Sequence, residues 1–219
     1  MALILKVPYE EKDEAKVLGA KWNPQLKKWY VEKRKDYHKF TKWILGDKEQ
    51  VYILCDYFYV VEGLHTCFKC RNLTQVIGYG VKKYFDVCNP ELYGDEKAWS
   101  FEDDEIHIAS HIYPLPEKVL NYLKDKYGYY ESYSKTIQSS YLANHCSNCK
   151  VIQGAFYLFG EVDSPFFIDS EERARKLKLY RVPLKNDIIV EADIGRGSED
   201  WLIEVFAQSI DLSIDGRVE

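Results

Sequence analysis

The sequence predicts an α+β fold, in which a small basic β-α-hairpin-α module precedes an aromatic-rich α+β body stapled by a zinc site of four cysteines. Three observations support this fold class. Short strand and helix patterns alternate over residues 1–48, longer strand-like runs dominate residues 49–219, and two Cys-x-x-Cys pairs lie within the second part. A chain of 219 residues can build one sizeable domain and one small module, and we place their boundary between residues 48 and 49.

Local patterns predict each element of the module. The run LILKV predicts a short strand, and EEKDEAKVL predicts a helix that is acidic at its start and ended by Gly19. The segment NPQLKK separates Trp22 from Trp29 and predicts the turn of a hairpin, because Asn-Pro dipeptides favour turns. The apolar residues of DYHKFTKWIL recur on one face of a second helix.

The body is predicted from longer strand-like runs with helical patterns between them. PLPEKVLNYLKDKYG predicts a helix, because it has proline near its start, apolar residues at a 3.6-residue period and Gly128 at its end. SEERARKLKL predicts a short helix. The predicted strands are VYILCDYFYVV, LTQVIGYGV, KKYFDV, YYESYSKT, VIQGAFYLFGEV, DIIVEADI and WLIEVFAQSI.

Four cysteines in two pairs predict a structural zinc site. Cys67 and Cys70 lie in the knuckle at residues 65–72, and Cys146 and Cys149 lie in the knuckle at residues 144–151. Four thiolates complete the tetrahedral shell that structural zinc prefers, so no position is left open for water. Each knuckle lies between strand-like runs, which is typical of a zinc ribbon. The 75 residues between the pairs are either an insertion or a second sub-lobe that the zinc staples to the first.

Histidines adjoin both knuckles, as His65 and His145. We expect them to support the thiolates by hydrogen bonds or to be structural, although either could replace a cysteine as ligand. The alternative for the pairs themselves is a redox dithiol. It is disfavoured because neither pair begins a helix, where the helix dipole would lower a thiol pKa.

The remaining bulk features indicate a protein of a reducing cytoplasm. No apolar run reaches the ~18 residues of a membrane span, and the N-terminal segment turns acidic within ten residues, unlike a signal peptide. Six cysteines, four of them in Cys-x-x-Cys pairs, indicate metal binding rather than disulfides. Cys55 lies in an apolar run and is predicted to be a buried core thiol, while Cys88 receives no role.

Two weaker groups of residues could support an enzyme. His107 and His111 could bind a metal, and Glu191 with Asp193 could belong to a metal-dependent nuclease or hydrolase. Neither group supplies a complete set of ligands or catalytic partners. We therefore assign no catalytic residue and expect a protein that is not an enzyme.

The predicted hairpin interleaves cations with aromatic rings. Single-stranded nucleic acid is bound in this way, because rings stack on bases and lysines pair with phosphates. In the alternative, the two tryptophans form the core of the module and the lysines are its solvated face. The candidate nucleic-acid-binding residues are Lys21, Trp22, Lys27, Lys28, Trp29 and Tyr30.

The segment VPYEEKDEAKVLGAKWNPQLKKWYV, residues Val7–Val31, resembles a short uncharacterised domain. That domain is found in bacterial and mobile-element proteins, among them plasmid-type primases and antirestriction proteins, with the pattern VP-x₃-K-x-x-A-K-x-LGA-x-W-x₅-K-x-WYV. The segment is also loosely similar to the HARP-type module of annealing helicases, in which a ring-rich hairpin touches DNA. The resemblance implies a context of DNA metabolism or mobile elements, and no activity.

The N-terminal module is basic and the body is acidic, and each of the two main functional hypotheses depends on one of these parts. Residues 1–48 carry 12 Lys+Arg against 7 Asp+Glu, so residues 49–219 carry 18 against 28. The leading hypothesis is a non-enzymatic, zinc-containing, nucleic-acid-associated protein of bacterial or phage and mobile-element type, acting through its basic module. The alternative is an acidic adaptor or inhibitor whose body binds a basic partner protein, such as a DNA-processing or defence enzyme.

Overall fold

The computed structural model of the protein describes residues 1–211 and confirms the α+β fold class. The end of the predicted body, residues 212–219, lies outside the described residues. The helices are α1 (Lys12–Val17), α2 (Thr41–Leu45), α3 (Pro90–Tyr93), α4 (Glu117–Tyr127), α5 (Glu171–Ala174) and α6 (Trp201–Phe206). The strands are β1 (Leu3–Leu5), β2 (Lys21–Asn23), β3 (Lys28–Val31), β4 (Gln50–Leu54), β5 (Tyr57–Thr66), β6 (Leu73–Val81), β7 (Tyr84–Cys88), β8 (Trp99–Glu102), β9 (His107–Tyr113), β10 (Tyr130–Ser134), β11 (Ser139–His145), β12 (Ile152–Gln153), β13 (Lys178–Pro183), β14 (Ile188–Ile194) and β15 (Gln208–Asp211).

The N-terminal module has the predicted order of strand, helix, hairpin and helix. Its sheet has the order β1-β3-β2, and Trp22 lies directly opposite Trp29 in the hairpin. A 3-10 turn precedes α1, and Gly19 follows the helix with a φ of 103°, a backbone conformation that glycine adopts without strain. The second predicted helix is a 3-10 segment, Arg34–Phe40, that continues into α2.

A nine-stranded sheet forms the centre of the body in the order β15-β13-β5-β6-β9-β14-β4-β7-β8. Its neighbours are antiparallel except for β13 and β15. The apolar run VYILCDYFYVV supplies two strands rather than one, because the chain turns at Asp56, whose φ is +64°. A second sheet, β10-β11-β12, carries the second cysteine pair at one end.

Three apolar clusters hold these layers together. One lies between a face of the large sheet and α4, where Val119 and Leu123 are buried. Another lies on the opposite face beneath Leu158 and Ile203. The third packs the buried side chains of the module against Val51, Ile53 and Val87 of β4 and β7. The module therefore shares a core with the body.

Two strand predictions in the body are wrong. In VIQGAFYLFGEV only Ile152–Gln153 is a strand, and Phe156–Gly160 forms a π-helical turn instead. This turn brings Phe159 against Gly78 of β6, where an added Cβ would lie 2.9 Å from the ring. In WLIEVFAQSI the first part is the helix α6, whose residues Leu202 and Ile203 are buried, and only the end of the run belongs to the strand β15.

The other predicted segments match the structure more closely. The helix ended by Gly128 is confirmed as α4, with Gly128 in the left-handed conformation. SEERARKLKL supplies α5 and then the start of β13. Within residues 1–211, no helix is long and apolar enough to cross a lipid bilayer.

Candidate metal centre and nucleic-acid interface

The fold brings the two cysteine pairs together. Cys67 and Cys70 lie in the turn between β5 and β6, and Cys146 and Cys149 lie in the turn between β11 and β12. All four sulfur atoms lie within 4.8 Å of one another. Across the two turns, the Sγ atoms of Cys67 and Cys149 are 3.7 Å apart, and those of Cys70 and Cys146 are 3.6 Å apart.

The two knuckles have the same backbone geometry. In the first, the Cys67 amide donates to the Asn72 carbonyl at 3.0 Å, and the Arg71 amide donates to the Cys67 carbonyl at 2.9 Å. The second knuckle repeats both hydrogen bonds, from Cys146 to Val151 at 2.9 Å and from Lys150 to Cys146 at 3.0 Å. The residue after each second cysteine is left-handed, with φ of +61° at Arg71 and +60° at Lys150. This shared geometry aims both pairs of thiols at one point.

The cluster can hold a metal ion. Zinc–sulfur bonds of about 2.3 Å place neighbouring sulfurs of a tetrahedron about 3.8 Å apart, close to the two cross-knuckle distances here. Hydrogen bonds from the Asn72 backbone and the Asn148 side chain lower the pKa of Cys70 to about 6. Four convergent thiols are the donor set of a structural site, and no ligand position remains for a substrate.

Side chains outside the four cysteines fix the two knuckles to each other. The Thr74 hydroxyl of β6 accepts a hydrogen bond from the Ser147 amide at 3.0 Å. The buried Asn144 side chain accepts from the Ile77 amide and donates to the Ile77 carbonyl, both at 2.8 Å. Asn144 thus pairs β11 with β6 in the way that another strand would. These contacts hold the second sheet to the large sheet.

Of the two histidines beside the knuckles, His145 has structural partners, which is one of the two roles expected of it. Both ring nitrogens of His145 have other partners, the Gly128 carbonyl at 2.9 Å and the Ser132 hydroxyl at 3.0 Å, and its ring stacks on Tyr130. His145 therefore cross-links β10 and β11 and does not donate to a thiolate. His65 is half-buried opposite Thr74, and burial lowers its pKa.

Gln153 occupies the supporting position predicted for a histidine. Its side-chain amide donates to the Cys67 sulfur at 3.6 Å and to the Val151 carbonyl at 2.9 Å. Sequence reasoning missed this residue, because it lies four residues after Cys149 in a segment predicted to be a long strand. The one signal in the sequence was a polar residue in an otherwise apolar run.

The remaining cysteines are thiols with raised pKa values. All six cysteines of the chain are free. Cys55 is fully buried, as predicted, and burial raises its pKa well above the ordinary range. Burial and the nearby Asp86 carboxylate raise the pKa of Cys88 to about 11. Both thiols are therefore protonated and poorly reactive near neutral pH.

A basic aromatic cleft lies on one face of the hairpin. It has a volume of about 420 Å³. Trp22 and Trp29 meet there edge to face, with ring centroids 5.5 Å apart. Trp22 is 49% exposed, whereas Trp29 also packs against the apolar cluster of the module. The residues lining the cleft are Leu5, Lys6, Val7, Tyr9, Lys12, Trp22, Lys27, Lys28 and Trp29.

Four of the six predicted nucleic-acid-binding residues line the cleft, and the other two do not. Trp22, Lys27, Lys28 and Trp29 line the cleft. Lys21 lies opposite Tyr30 in the pairing of β2 with β3, at the register position next to the tryptophan pair. Because side chains alternate along a strand, Lys21 and Tyr30 lie on the face of the hairpin away from the tryptophans. Lys21 is also paired with the exposed carboxylate of Glu32.

Five of the residues that line the cleft were not predicted from the sequence, and three of them are basic or aromatic. Lys6 and Tyr9 line it, and the Lys12 ammonium lies over the Tyr9 ring, 3.6 Å from the centroid. Tyr9 is 76% exposed. The signal for Lys12 was present, since it is the first lysine of the VP-x₃-K pattern. Lys6 and Tyr9 lie outside the hairpin, and only the fold brings them to it.

The weaker groups do not assemble into sites. Within residues 1–211, the four cysteines are the only set of three or more cysteine, histidine or acidic residues placed to hold a metal. His107 hydrogen-bonds the buried Asp200 carboxylate at 2.7 Å, and His111 stacks beside Tyr113. Glu191 pairs with Lys48, and Asp193 accepts a hydrogen bond from Ser110.

The fold and these two surfaces define an α+β protein with a four-cysteine metal-ligand cluster and a basic aromatic N-terminal module. Residues 3–44 match the family described as "Domain of unknown function (DUF5710)". Two curated proteins, each named "DNA primase TraC" and each from Escherichia coli, are similar over the same part of the chain. One is 52% identical over 42 residues and the other 51% identical over 39 residues.

These matches cover little of any chain. They include 19% and 18% of this chain, and 3% and 4% of the respective relatives. No solved structure matches. The resemblance of Val7–Val31 to a short uncharacterised domain that also occurs in primases is therefore confirmed, and it is confined to the N-terminal module.

Proposed function

We propose that the protein is a non-enzymatic, nucleic-acid-associated protein of mobile-element type that favours single strands. The N-terminal module is the binding surface, and a structural zinc ion holds the body. The observation that carries the proposal is the cleft in which two tryptophans meet Lys6, Lys12, Lys27 and Lys28.

The cleft has the chemistry that single-stranded nucleic acid requires. The exposed ring of Trp22 is accessible to a base, and its edge-to-face contact with Trp29 supports it. Stacking of this kind contributes roughly 1–3 kcal/mol per base. A duplex keeps its bases stacked inside, so exposed rings favour a single strand. The match to a segment of two primases adds a context in which single strands occur.

Zinc is the metal that the body fits best. Four thiolates select zinc or iron–sulfur clusters, and the cross-knuckle sulfur distances of 3.6 and 3.7 Å suit one small tetrahedral ion. The two knuckle turns, face to face, form a split zinc ribbon. Zinc there is structural, because all four positions are filled by sulfur.

Fluorescence anisotropy of labelled single-stranded DNA, duplex DNA and RNA at several salt concentrations tests the proposal. We expect tightest binding to single strands, with a log–log salt slope of about −3 if four lysines each contact a phosphate. The double variant Lys27→Glu with Lys28→Glu should abolish binding. The matched control is Lys118→Glu with Lys124→Glu, which makes the same charge change on exposed positions of α4.

The control variant should bind as the unchanged protein does. Equal loss of binding in both double variants would show that net charge alone drives association and would remove the cleft from the proposal. Absence of binding at low salt would contradict the proposed function outright.

A second candidate is binding of a basic partner protein by the acidic body. It is favoured by exposed aromatic side chains beside the cysteines: Phe68 stacks on Tyr157, and Phe156 is 65% exposed. The nearby Asp163 and Glu161 are also exposed. Recovery of a basic protein with the intact chain, lost in Phe68→Ala with Tyr157→Ala, would support this candidate. Tyr133→Ala, at an exposed ring on β10, is its control.

A further inference from the structure

A second cavity lies where the module meets the body. This junction groove is open and has a volume of about 1190 Å³. Ile4, Lys28 and Tyr30 of the module line one side, and Tyr113 and Leu115 of the body line the other. Sites for small molecules usually measure about 300–1,000 Å³. A groove of this size suits an extended chain better than a compact ligand.

The groove and the aromatic cleft are neighbours that share two lining residues. Lys6 and Lys28 line both cavities, so the two lysines stand at the crossing between them. A strand leaving the cleft would meet these two ammonium groups before it reached the groove. Phosphates of a nucleic-acid backbone are the natural ligands of such a pair.

The charges of the groove are compatible with this occupant. Two of its carboxylates are paired, Glu11 with Lys42 at 2.9 Å and Glu191 with Lys48 at 3.2 Å. The Asp187 carboxylate is buried and forms an ion pair with Arg34. Asp47 also lines the groove, just after the end of α2. In the sequence it is distant from Lys6 and Lys28, the two lysines that line both cavities.

Two tyrosines supply rings along the groove. Tyr113 is 54% exposed, and its ring stacks beside His111 with an interplanar angle of 16°. This exposure makes the ring accessible to a base. Tyr30 projects from the opposite wall, on the side of the hairpin away from the tryptophans. The body therefore offers one more stacking surface than the module has alone.

We propose that a single strand held in the aromatic cleft continues over Lys28 into the junction groove, where a base stacks on Tyr113. This inference rests on the proposed function and extends it, because it makes the body part of the binding surface. It also predicts a binding site longer than the cleft itself. The first bases contact the tryptophans, and later bases reach Tyr113.

Oligonucleotide length tests the inference. Tyr113→Ala should weaken binding of a single strand of about twelve nucleotides at least about fivefold, and leave one of about four nucleotides unchanged, since single-strand sites span roughly 4–16 nucleotides and one stack contributes about 1–3 kcal/mol. Tyr113→Phe keeps the ring and should bind as the unchanged protein does. Tyr133→Ala, a similarly exposed tyrosine on β10, is the matched control.

A cross-linking measurement on the unchanged protein gives independent evidence. The longer oligonucleotide, carrying 5-iodouracil at successive positions, should cross-link to Tyr113 only from positions beyond those that cross-link to Trp22. If the long strand binds but Tyr113→Ala has no effect and no cross-link reaches the groove, the inference is wrong while the proposed function stands. If neither oligonucleotide binds, both are wrong.

Discussion

At the scale of single residues, the two tryptophans of the hairpin have different tasks. Trp29 is half-buried and packs against the apolar cluster of the module, whereas Trp22 is 49% exposed and meets Trp29 edge to face. Trp29 therefore fits the alternative in which the tryptophans form the core, whereas the exposure of Trp22 is compatible with the proposed binding surface. Of the two tryptophans, only Trp22 can be replaced by a small residue without leaving a cavity in the apolar cluster.

Trp22→Ala should weaken single-strand binding by about fivefold or more, because one stacking partner contributes roughly 1–3 kcal/mol. The free energy of unfolding should change little. Anisotropy and urea denaturation measure the two effects. Trp201→Ala is the control, since Trp201 is 44% exposed on α6 and lies outside both cavities. Unchanged binding by Trp22→Ala would show that the cleft does not stack bases.

At the scale of secondary-structure elements, each knuckle is the turn of a hairpin, and the two hairpins belong to different sheets. The first joins β5 to β6 in the large sheet, and the second joins β11 to β12 in the small one. An ion bound to all four sulfurs would fasten the small sheet to the large one. Of the two interpretations of the 75-residue gap, the stapled sub-lobe describes this arrangement better.

Cys146→Ser should lose the metal and destabilise the body, because a structural zinc site contributes on the order of 10 kcal/mol of binding free energy to folding. Metal content by mass spectrometry and thermal unfolding test this. A chelator should have the same effect on the unchanged protein. Cys88→Ser is the control and should keep one metal per chain. A Cys146→Ser protein of full stability would refute a structural role for the metal.

Local patterns predicted the elements that are defined locally. The helix α4 was predicted because a proline, a 3.6-residue period and Gly128 all mark it, and the four cysteines were predicted because ligand chemistry and a two-residue spacer are local features. The helix α6 was missed, because a short apolar run fits both a strand and a buried helix. Gln153 and Asn144 could not be found, since their roles depend on how two sheets meet.

At the scale of the whole molecule, a buried ionic cluster joins the module to the body. Arg34 donates to the buried Asp187 carboxylate from Nε at 2.7 Å and from Nη2 at 2.8 Å, and Tyr37 donates to it at 3.0 Å. Arg34 also donates to Asp56 of the turn between β4 and β5. The attraction between Arg34 of the module and the carboxylates of Asp56 and Asp187 in the body helps to hold the module in one orientation on the body.

The cluster also makes stability depend on pH. Hydrogen bonds from Arg34 hold the pKa of Asp56 below its usual value. A carboxyl group whose folded pKa is lowered stabilises the fold above its unfolded pKa of about 3.9, and this contribution is lost as pH falls through the lower folded value. The contribution of Asp56 is therefore complete at neutral pH.

Arg34→Met should lower the free energy of unfolding by about 3–5 kcal/mol, because it leaves the Asp187 carboxylate buried without its cation. Denaturant titration at neutral pH measures this change, and NMR titration should show the Asp56 pKa rising toward its ordinary value. Lys176→Met is the control, since it breaks an exposed pair with Glu172 on α5 and should leave the unfolding midpoint unchanged. If Arg34→Met unfolded at the same denaturant concentration as the unchanged protein, the cluster would not be what holds the module against the body.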